Sequence, residues 1–302
     1  MFDEGGAFKD ILKQASVPNR SSSVVPLRQA SREKTSPVRS RSSLKKPNKP
    51  VEHTLSYRYE LKYLVSEANA LALMHFVEAH LPLDRYCKLQ PGGMSPIVSL
   101  YLDSHNLQLC RESLEGHKNR FKLRIRSYTD DPDYPRFFEI KRRINPIIVK
   151  TRARVEHCDV ASLLLGLSLP EEDCSADQAT LKQFRLYMNS INAAPVIKIR
   201  YMRRAYEGDS NNRVRVTFDR QLAYNVSSAP EVSFNGPGWQ RYPLNGIILE
   251  IKFTGSYPAW LNQMVKCFEL HQQSFSKYAR SVKNACLLKF CAPKVPARIY
   301  QS

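Results

Sequence analysis

From Leu55 onward, apolar and polar positions alternate with a period of two in one segment after another. In RFKLRIRSY, Arg120, Lys122, Arg124 and Arg126 fall on one face and Phe121, Leu123 and Ile125 on the other, the signature of a half-buried strand. The same period predicts strands over SYRYELKYLV, IVSLYLD, RFFEIKRRI, IIVKTRARVEH, VIKIRYMRRAYE, RVRVTFDRQLAYNV and GIILEIKF. RFFEIKRRI and IIVKTRARVEH meet near Asn145 and Pro146, which reads as a hairpin turn. A helical period appears over EANALALMHFVEAHL, capped by Ser66, with Leu71, Met74, Val77 and Leu81 on one side. Further helices are predicted over Asp159 to Leu167, Ala179 to Ser190, Ala259 to His271 behind Pro258, and Lys277 to Leu288, with a turn or short helix at Leu107 to Leu114. The sum is an α+β domain: about eight antiparallel strands with helices packed outside.

The polar faces of these strands are mostly positive. Lys150, Arg152 and Arg154 align in VKTRARV, Lys198 and Arg200 in VIKIRY, and Arg213 and Arg215 in RVRVTFD. Like charges two residues apart on one face stand about 7 Å from each other and repel by roughly 2 kcal/mol at an effective dielectric near 20. Several such strands facing one enclosed space need a polyanion to balance them.

Composition supports this. The 302 residues carry a formal charge of +18 and are 42% hydrophobic, enough for a real core. Residues 1–50 hold 11 Lys and Arg against 4 Asp and Glu, leaving 35 against 24 for the rest, so the folded body is itself basic. Residues 1–50 are Ser/Pro-rich and read as a disordered basic tail, open to a membrane or protein partner; 51–292 read as the domain and 293–302 as a C-terminal tail. The seven scattered cysteines include no CxxC pair and read as reduced thiols. No window of 18 apolar residues and no secretory h-region occurs, so the expected location is cytoplasmic, without a transmembrane segment.

Glu-x-Lys recurs on three predicted strands: Glu60 and Lys62, Glu139 and Lys141, Glu250 and Lys252. Singly, each reads as an ion pair on a sheet surface. Beside the basic faces they also fit a phosphate site, in which Arg and Lys neutralise phosphoryl oxygens and Glu holds a bridging divalent cation. The opposite faces are apolar around these motifs, as at Ile247, Leu249, Ile251 and Phe253, which puts the charges inside a tunnel and the apolar face beneath the helices. There is no GxxxxGK[ST] loop, GxGxxG, GxSxG or HExxH. Tyr101, Asp103 and Asp219 are read as structural strand-end residues with a secondary possibility of positioning a ligand. Specific nucleic-acid binding is disfavoured, since the large apolar groups of the clearest strand lie opposite the arginines and not among them.

The ordered segments YELKY, SLYLDS, FKLRIRSY, FFEIKRR, KTRARV, IKIRYMRRAY, RVRVTFD, LEIKF and SFSKYARSV resemble the catalytic domain of the vacuolar transporter chaperone (VTC) polyphosphate polymerases, within the triphosphate tunnel metalloenzyme (CYTH-like) group, over about residues 53–290. The resemblance implies an eight-stranded antiparallel β-tunnel that moves the γ-phosphoryl group of ATP onto inorganic polyphosphate with Mn²⁺ or Mg²⁺. It implies Lys62, Arg124, Arg126, Lys141, Arg152, Arg200, Arg215 and Lys252 as catalytic phosphate clamps. Lys150, Arg213, Lys277, Lys122 and Arg203 would bind substrate, and Glu250, with Glu60 and Glu139 behind it, the metal. The group often carries Glu-x-Glu-x-Lys where this chain has Arg58, Glu60 and Lys62, which favours a polymerase over a triphosphate or nucleotide hydrolase; a non-catalytic polyphosphate binder is the remaining alternative.

Overall fold

In the computed structural model the described residues are 58–145, 147–167, 176–209 and 213–288; both expected tails, 1–50 and 293–302, fall outside them. The chain forms β1 (Arg58–Val65), α1 (Glu67–Glu78), α2 (Arg85–Lys88), β2 (Ser95–Asp103), α3 (Gln108–Leu114), β3 (Arg120–Ser127), β4 (Arg136–Ile144) and β5 (Ile147–Val155). It continues with α4 (Val160–Leu164), α5 (Ala176–Ser190), β6 (Ala194–Glu207), β7 (Val214–Val226), the two-residue β8 (Gln240–Arg241), β9 (Ile247–Thr254), α6 (Ala259–Cys267) and α7 (Lys277–Leu287). Every strand predicted from the alternation is present.

The strands form one antiparallel sheet in the order β1-β9-β7-β6-β2-β3-β4-β5, with β8 beside β7. That order makes β1 and β5 the two edges, yet Lys141 of β4 bonds Glu60 of β1 at 3.1 Å. Strands at opposite ends of the order touch because the sheet twists and curls into a half-barrel, as antiparallel sheets of this size do. Beyond β1 the edge is met by the segment before α7: Tyr63 bridges Gln272, and Gln273 N–H donates to the Lys62 carbonyl at 2.8 Å. Its polar edge groups are thereby partly satisfied.

Alternation then decides which side chains go where. The even-numbered residues of β1 and β9 point into the concave face and the odd-numbered ones out, so Tyr63, Val65, Ile247, Leu249, Ile251 and Phe253 pack beneath α1 and α6. α1 starts where Ser66 Oγ accepts the Asn69 N–H at 3.2 Å, and it buries Ala70, Leu73, Met74 and Val77. That stripe leaves out Leu71, which is 61% exposed, because 100° per residue carries position 71 off the i, i+3, i+4, i+7 face. Full burial of Leu73 contributes about 1.5–3 kcal/mol. α5 covers the other half of the convex face, with Phe184 against Phe138. α6 ends four residues earlier than expected, near Glu269, which adopts φ +47°.

α7 reaches the concave face. Tyr278 stacks on Tyr101, and Asn284 accepts from the Tyr224 hydroxyl at 2.7 Å. Its first turn therefore lands among the charged side chains. Gly246, at φ +129°, enters β9 so closely that a Cβ there would stand 2.2 Å from the Val65 carbonyl oxygen. Only glycine permits this approach, and it sets the β1/β9 register that brings Glu60 opposite Lys252 and Lys62 opposite Glu250. Among the described residues no helix is long and apolar enough to cross a membrane. Among the described residues Cys87, Cys110 and Cys286 are buried, while Cys158 and Cys267 are exposed.

Candidate active site

Four acids in three clusters organise the walls of the concave face, and each holds cations from its own or neighbouring elements. Glu139, fully buried on β4, stands in register with Arg124 of β3 and Arg152 of β5. Arg124 donates from Nε at 2.7 Å with Nη2 at 2.6 Å, and Arg152 repeats both distances on the other carboxylate oxygen. Lys150 Nζ lies 2.8 Å away. Phenol oxygens accept further guanidinium N–H groups: Arg124 donates to the Tyr101 hydroxyl at 3.2 Å and Arg152 to that of Tyr128 at 2.8 Å. Arg126, also buried, bonds Ser99 Oγ at 3.2 Å and the Tyr201 hydroxyl at 3.3 Å.

Asp219 on β7 accepts the two-pronged guanidinium of Arg203 at 2.6 and 2.8 Å and the Lys277 ammonium at 2.6 Å. Lys277 begins α7 and lies 4.8 Å from the Tyr201 ring centroid. The third group spans β1, β9 and β4: Lys62 is 2.7 Å from Glu60 and 3.7 Å from Glu250, Lys141 is 3.1 Å from Glu60, and Lys252 contacts Glu250. Lys122 donates to Ser276 Oγ, the cap of α7, at 2.8 Å.

With Lys122 and Arg126, these clusters bring ten cations to one face against four carboxylates. The surplus is written into the ionisation of the groups. Burial alone would raise Glu139, but Arg124, Arg126, Lys150 and Arg152 hold it far below the usual carboxylate range. Burial and Glu250 push Glu60 upward, and Lys141, Lys62 and Lys252 outweigh them, bringing it to about 2. Asp219 likewise falls to about 2, with Arg203 and Lys277 overcoming burial. The lysines show the opposite strain. Burial lowers Lys141 to about 8, with Lys62 adding to it and Glu60 opposing; Lys150 falls to about 7 through enclosure, against the pull of Glu139. Although 41% of the Lys150 side chain is exposed, the surrounding walls and cations give it poorer solvation than open water. Burial and the cations Lys141 and Lys62 depress Lys122 strongly. Such a site is stabilised by whatever adds negative charge.

The structure thus gathers Lys62, Lys122, Arg124, Arg126, Lys141, Lys150, Arg152, Arg203, Lys252 and Lys277, all expected in the site. Arg200 is a correction. On β6 it alternates with Tyr201 and Arg203, so it faces the convex side, where it bonds the Phe234 carbonyl and stacks 4.3 Å from the Trp239 ring centroid. Arg203 and Arg200 differ in strand parity and cannot share a face. Arg215 keeps the right parity, but its guanidinium engages Glu207 and, at 3.3 Å, Asp84, away from the three acid clusters. Arg213 lies exposed just before β7. Arg120 donates to the His117 carbonyl outside the clusters.

Glu139 does not fit a metal-ligand role: both of its oxygens are taken by Arg124, Arg152 and Lys150. Among the described residues no group of three or more His, Cys, Asp or Glu comes together as a metal site. Glu60 and Glu250 are paired with the flexible lysines Lys62, Lys141 and Lys252 and not with arginine forks, and they fit the alternative in which one or two carboxylates hold a hard cation and phosphate oxygens complete its shell. Asp219, Tyr128 and Tyr201 are contributors that sequence reading underweighted. Tyr201 and Asp219 were visible by strand parity with Arg203 and Arg215, but their partners on other strands were not. Asp103 is structural: it accepts the Ser104, Leu109 and Cys110 N–H groups at the start of α3 and the Tyr278 hydroxyl.

A family model described as VTC domain matches residues 57–286. No curated protein sequence matches the chain. Similar solved structures include a protein from Pyrococcus horikoshii OT3, at 12% identity over 76% of this chain and 99% of that one, with a TM-score of 0.39. A putative adenylate cyclase from Vibrio parahaemolyticus matches at 11% over 75% and 98%, TM-score 0.37. A putative adenylyl cyclase from Hippeastrum, described as having a dominant triphosphatase activity, matches at 14% over 74% and 94%, TM-score 0.43.

Proposed function

Since the chain belongs to the VTC domain family, we propose that its concave face is the active site of a polyphosphate polymerase that transfers the γ-phosphoryl group of ATP to a growing inorganic polyphosphate chain. The observation that carries this reading is the enclosed surplus of ten cations over four acids, with Arg124 and Arg152 locked in place by the buried Glu139. A polyanion that threads between these walls meets donors already oriented, so little reorganisation opposes transfer.

In this reading a terminal oxygen of the acceptor polyphosphate attacks the γ-phosphorus of ATP. The bond from that phosphorus to its bridging oxygen breaks, the electron pair leaves with ADP, and the polymer grows by one phosphate. The attacking oxygen is already ionised, so no strong base is required. Arg124, Arg126 and Arg152 neutralise equatorial oxygens, while Arg203 and Lys277 hold the neighbouring phosphates. A divalent cation, Mn²⁺ or Mg²⁺, held by Glu60 and Glu250, would supply further charge neutralisation at phosphate oxygens.

Purified protein with ATP and Mn²⁺ should yield a ladder of long polyphosphate on a gel, lost in Arg124→Ala and Glu250→Ala. Release of free phosphate without polymer would replace the polymerase by a hydrolase of the same fold. Tight tripolyphosphate binding with no ATP turnover would leave a non-catalytic binder.

A further inference from the structure

Thr217 sits on β7 between Arg215 and Asp219 and pairs across the ladder with Glu250 of β9. The residue is 1% exposed, and its Oγ1 is buried without a hydrogen-bond partner. Among the described residues several buried side-chain atoms share that condition, four of them arginine Nε atoms, but Thr217 alone is paired directly across the ladder from an acid of the site. Valine would fill the same space without an orphaned hydroxyl, and an unpaired buried hydroxyl is unfavourable in the free protein. Its surroundings suggest what would satisfy it. Glu250, directly opposite it, is contacted by the Lys252 ammonium, with Lys62 at 3.7 Å, so positive charge already gathers on the acid that faces Thr217.

We propose that the Thr217 hydroxyl and the Glu250 carboxylate form an oxygen pair for a divalent cation, with Lys252 moving off Glu250 as the ion enters. Directly opposed residues have Cβ atoms about 4.5–5.5 Å apart, a separation from which both oxygens reach one ion. Hard cations take neutral hydroxyl and carboxylate oxygens together, as the Ser/Thr hydroxyl of phosphate-binding loops does for Mg²⁺. Lys252, released from Glu250, becomes a free donor to phosphate. The inference rests on the phosphoryl-transfer reading of this face and adds to it a ligand that is not an acid.

The test compares wild type, Thr217→Val and Thr217→Ser by Mn²⁺ titration in the presence of tripolyphosphate, followed by loss of the free-ion electron paramagnetic resonance signal. Calorimetric titration of tripolyphosphate in a chelator gives binding without metal, and thermal melts give the stability of the free proteins. Thr217→Val should melt at or above wild type and bind metal-free tripolyphosphate equally well, but weaken Mn²⁺ by 5-fold or more, on the order of one lost oxygen ligand. Thr217→Ser should restore it. Equal Mn²⁺ affinity in wild type and Thr217→Val overturns the assignment, and an equal loss of metal-free tripolyphosphate binding assigns the hydroxyl to phosphate instead. If Thr217→Val does not fold, Thr217→Ala against Thr217→Ser carries the same contrast. Wild type that binds neither ligand overturns the phosphoryl-transfer reading itself.

Discussion

Replacing Glu139 by Gln tests whether the buried acid is a strut for the phosphate clamps. The side chain is fully buried and takes two contacts each from Arg124 and Arg152 at 2.6–2.7 Å and one from Lys150 at 2.8 Å. Gln keeps the shape but removes the charge and turns an amide N–H₂ toward one guanidinium. Breaking a buried ion network by removing one partner costs about 3–5 kcal/mol, since the remaining charges are left uncompensated. For a domain of this size each kcal/mol moves the melting midpoint by about 2–4 °C, so Glu139→Gln should melt roughly 6–20 °C below wild type. A second sign distinguishes a strut from a ligand-binding group. Without Glu139, Arg124 and Arg152 lose the orientation in which they meet phosphate, and a tenfold loss of affinity removes about 1.4 kcal/mol of ligand stabilisation even in the absence of metal. Scanning fluorimetry at pH 7 in chelator, with and without tripolyphosphate, reads both effects. A melt within 2 °C of wild type, or a tripolyphosphate shift in the variant as large as that of wild type, would refute the strut role.

Arg203→Ala should lose tripolyphosphate affinity by tenfold or more, whereas Arg200→Ala should lower the melting midpoint and leave affinity within about twofold, as isothermal titration of both variants will show. Tripolyphosphate affinity should fall as pH rises above 7. In the free protein Lys150 and Lys141 lose their protons at about 7 and about 8, and a bound polyanion raises both values, so binding above that range must take up protons. Each lysine then adds a slope of up to about tenfold per pH unit; a flat profile from pH 7 to 9 would contradict the assigned environment. Gly246→Ala forces Cβ against the Val65 carbonyl and shifts β9 from β1, so it should destabilise by about 1–3 kcal/mol in chemical denaturation and weaken Mn²⁺ binding at the Glu60 and Glu250 pair.

Much of the fold was legible because a strand's period is two. Once Leu123 and Ile125 face a core, Arg124 and Arg126 must share the other side, and eight such segments with short turns leave few alternatives to an antiparallel sheet. Helix faces were less secure: Leu71 was assigned to the buried stripe of α1 and lies outside it, since a helix has no alternation to fix the face absolutely. Site residues were legible as far as parity carried. Lys62, Lys141 and Lys252 were each read onto the charged face, where the structure brings them together, with Lys141 on Glu60 and not on the Glu139 of its own strand, but Arg200 was placed beside Arg203 against the alternation of its own strand.

By itself, then, the sequence determined the strands, the apolar face of each, the excess of positive charge and the rule that sorts charged from apolar positions. These are local properties, set by backbone geometry and side-chain chemistry over a few residues. Tertiary structure alone decided that the sheet curls until Lys141 reaches Glu60, that α7 delivers Lys277 to Asp219, and that Glu139 meets Arg124, Arg152 and Lys150. These contacts join residues about ten to eighty positions apart. Their geometry follows from twist, register and closure of the whole sheet, which no single segment encodes.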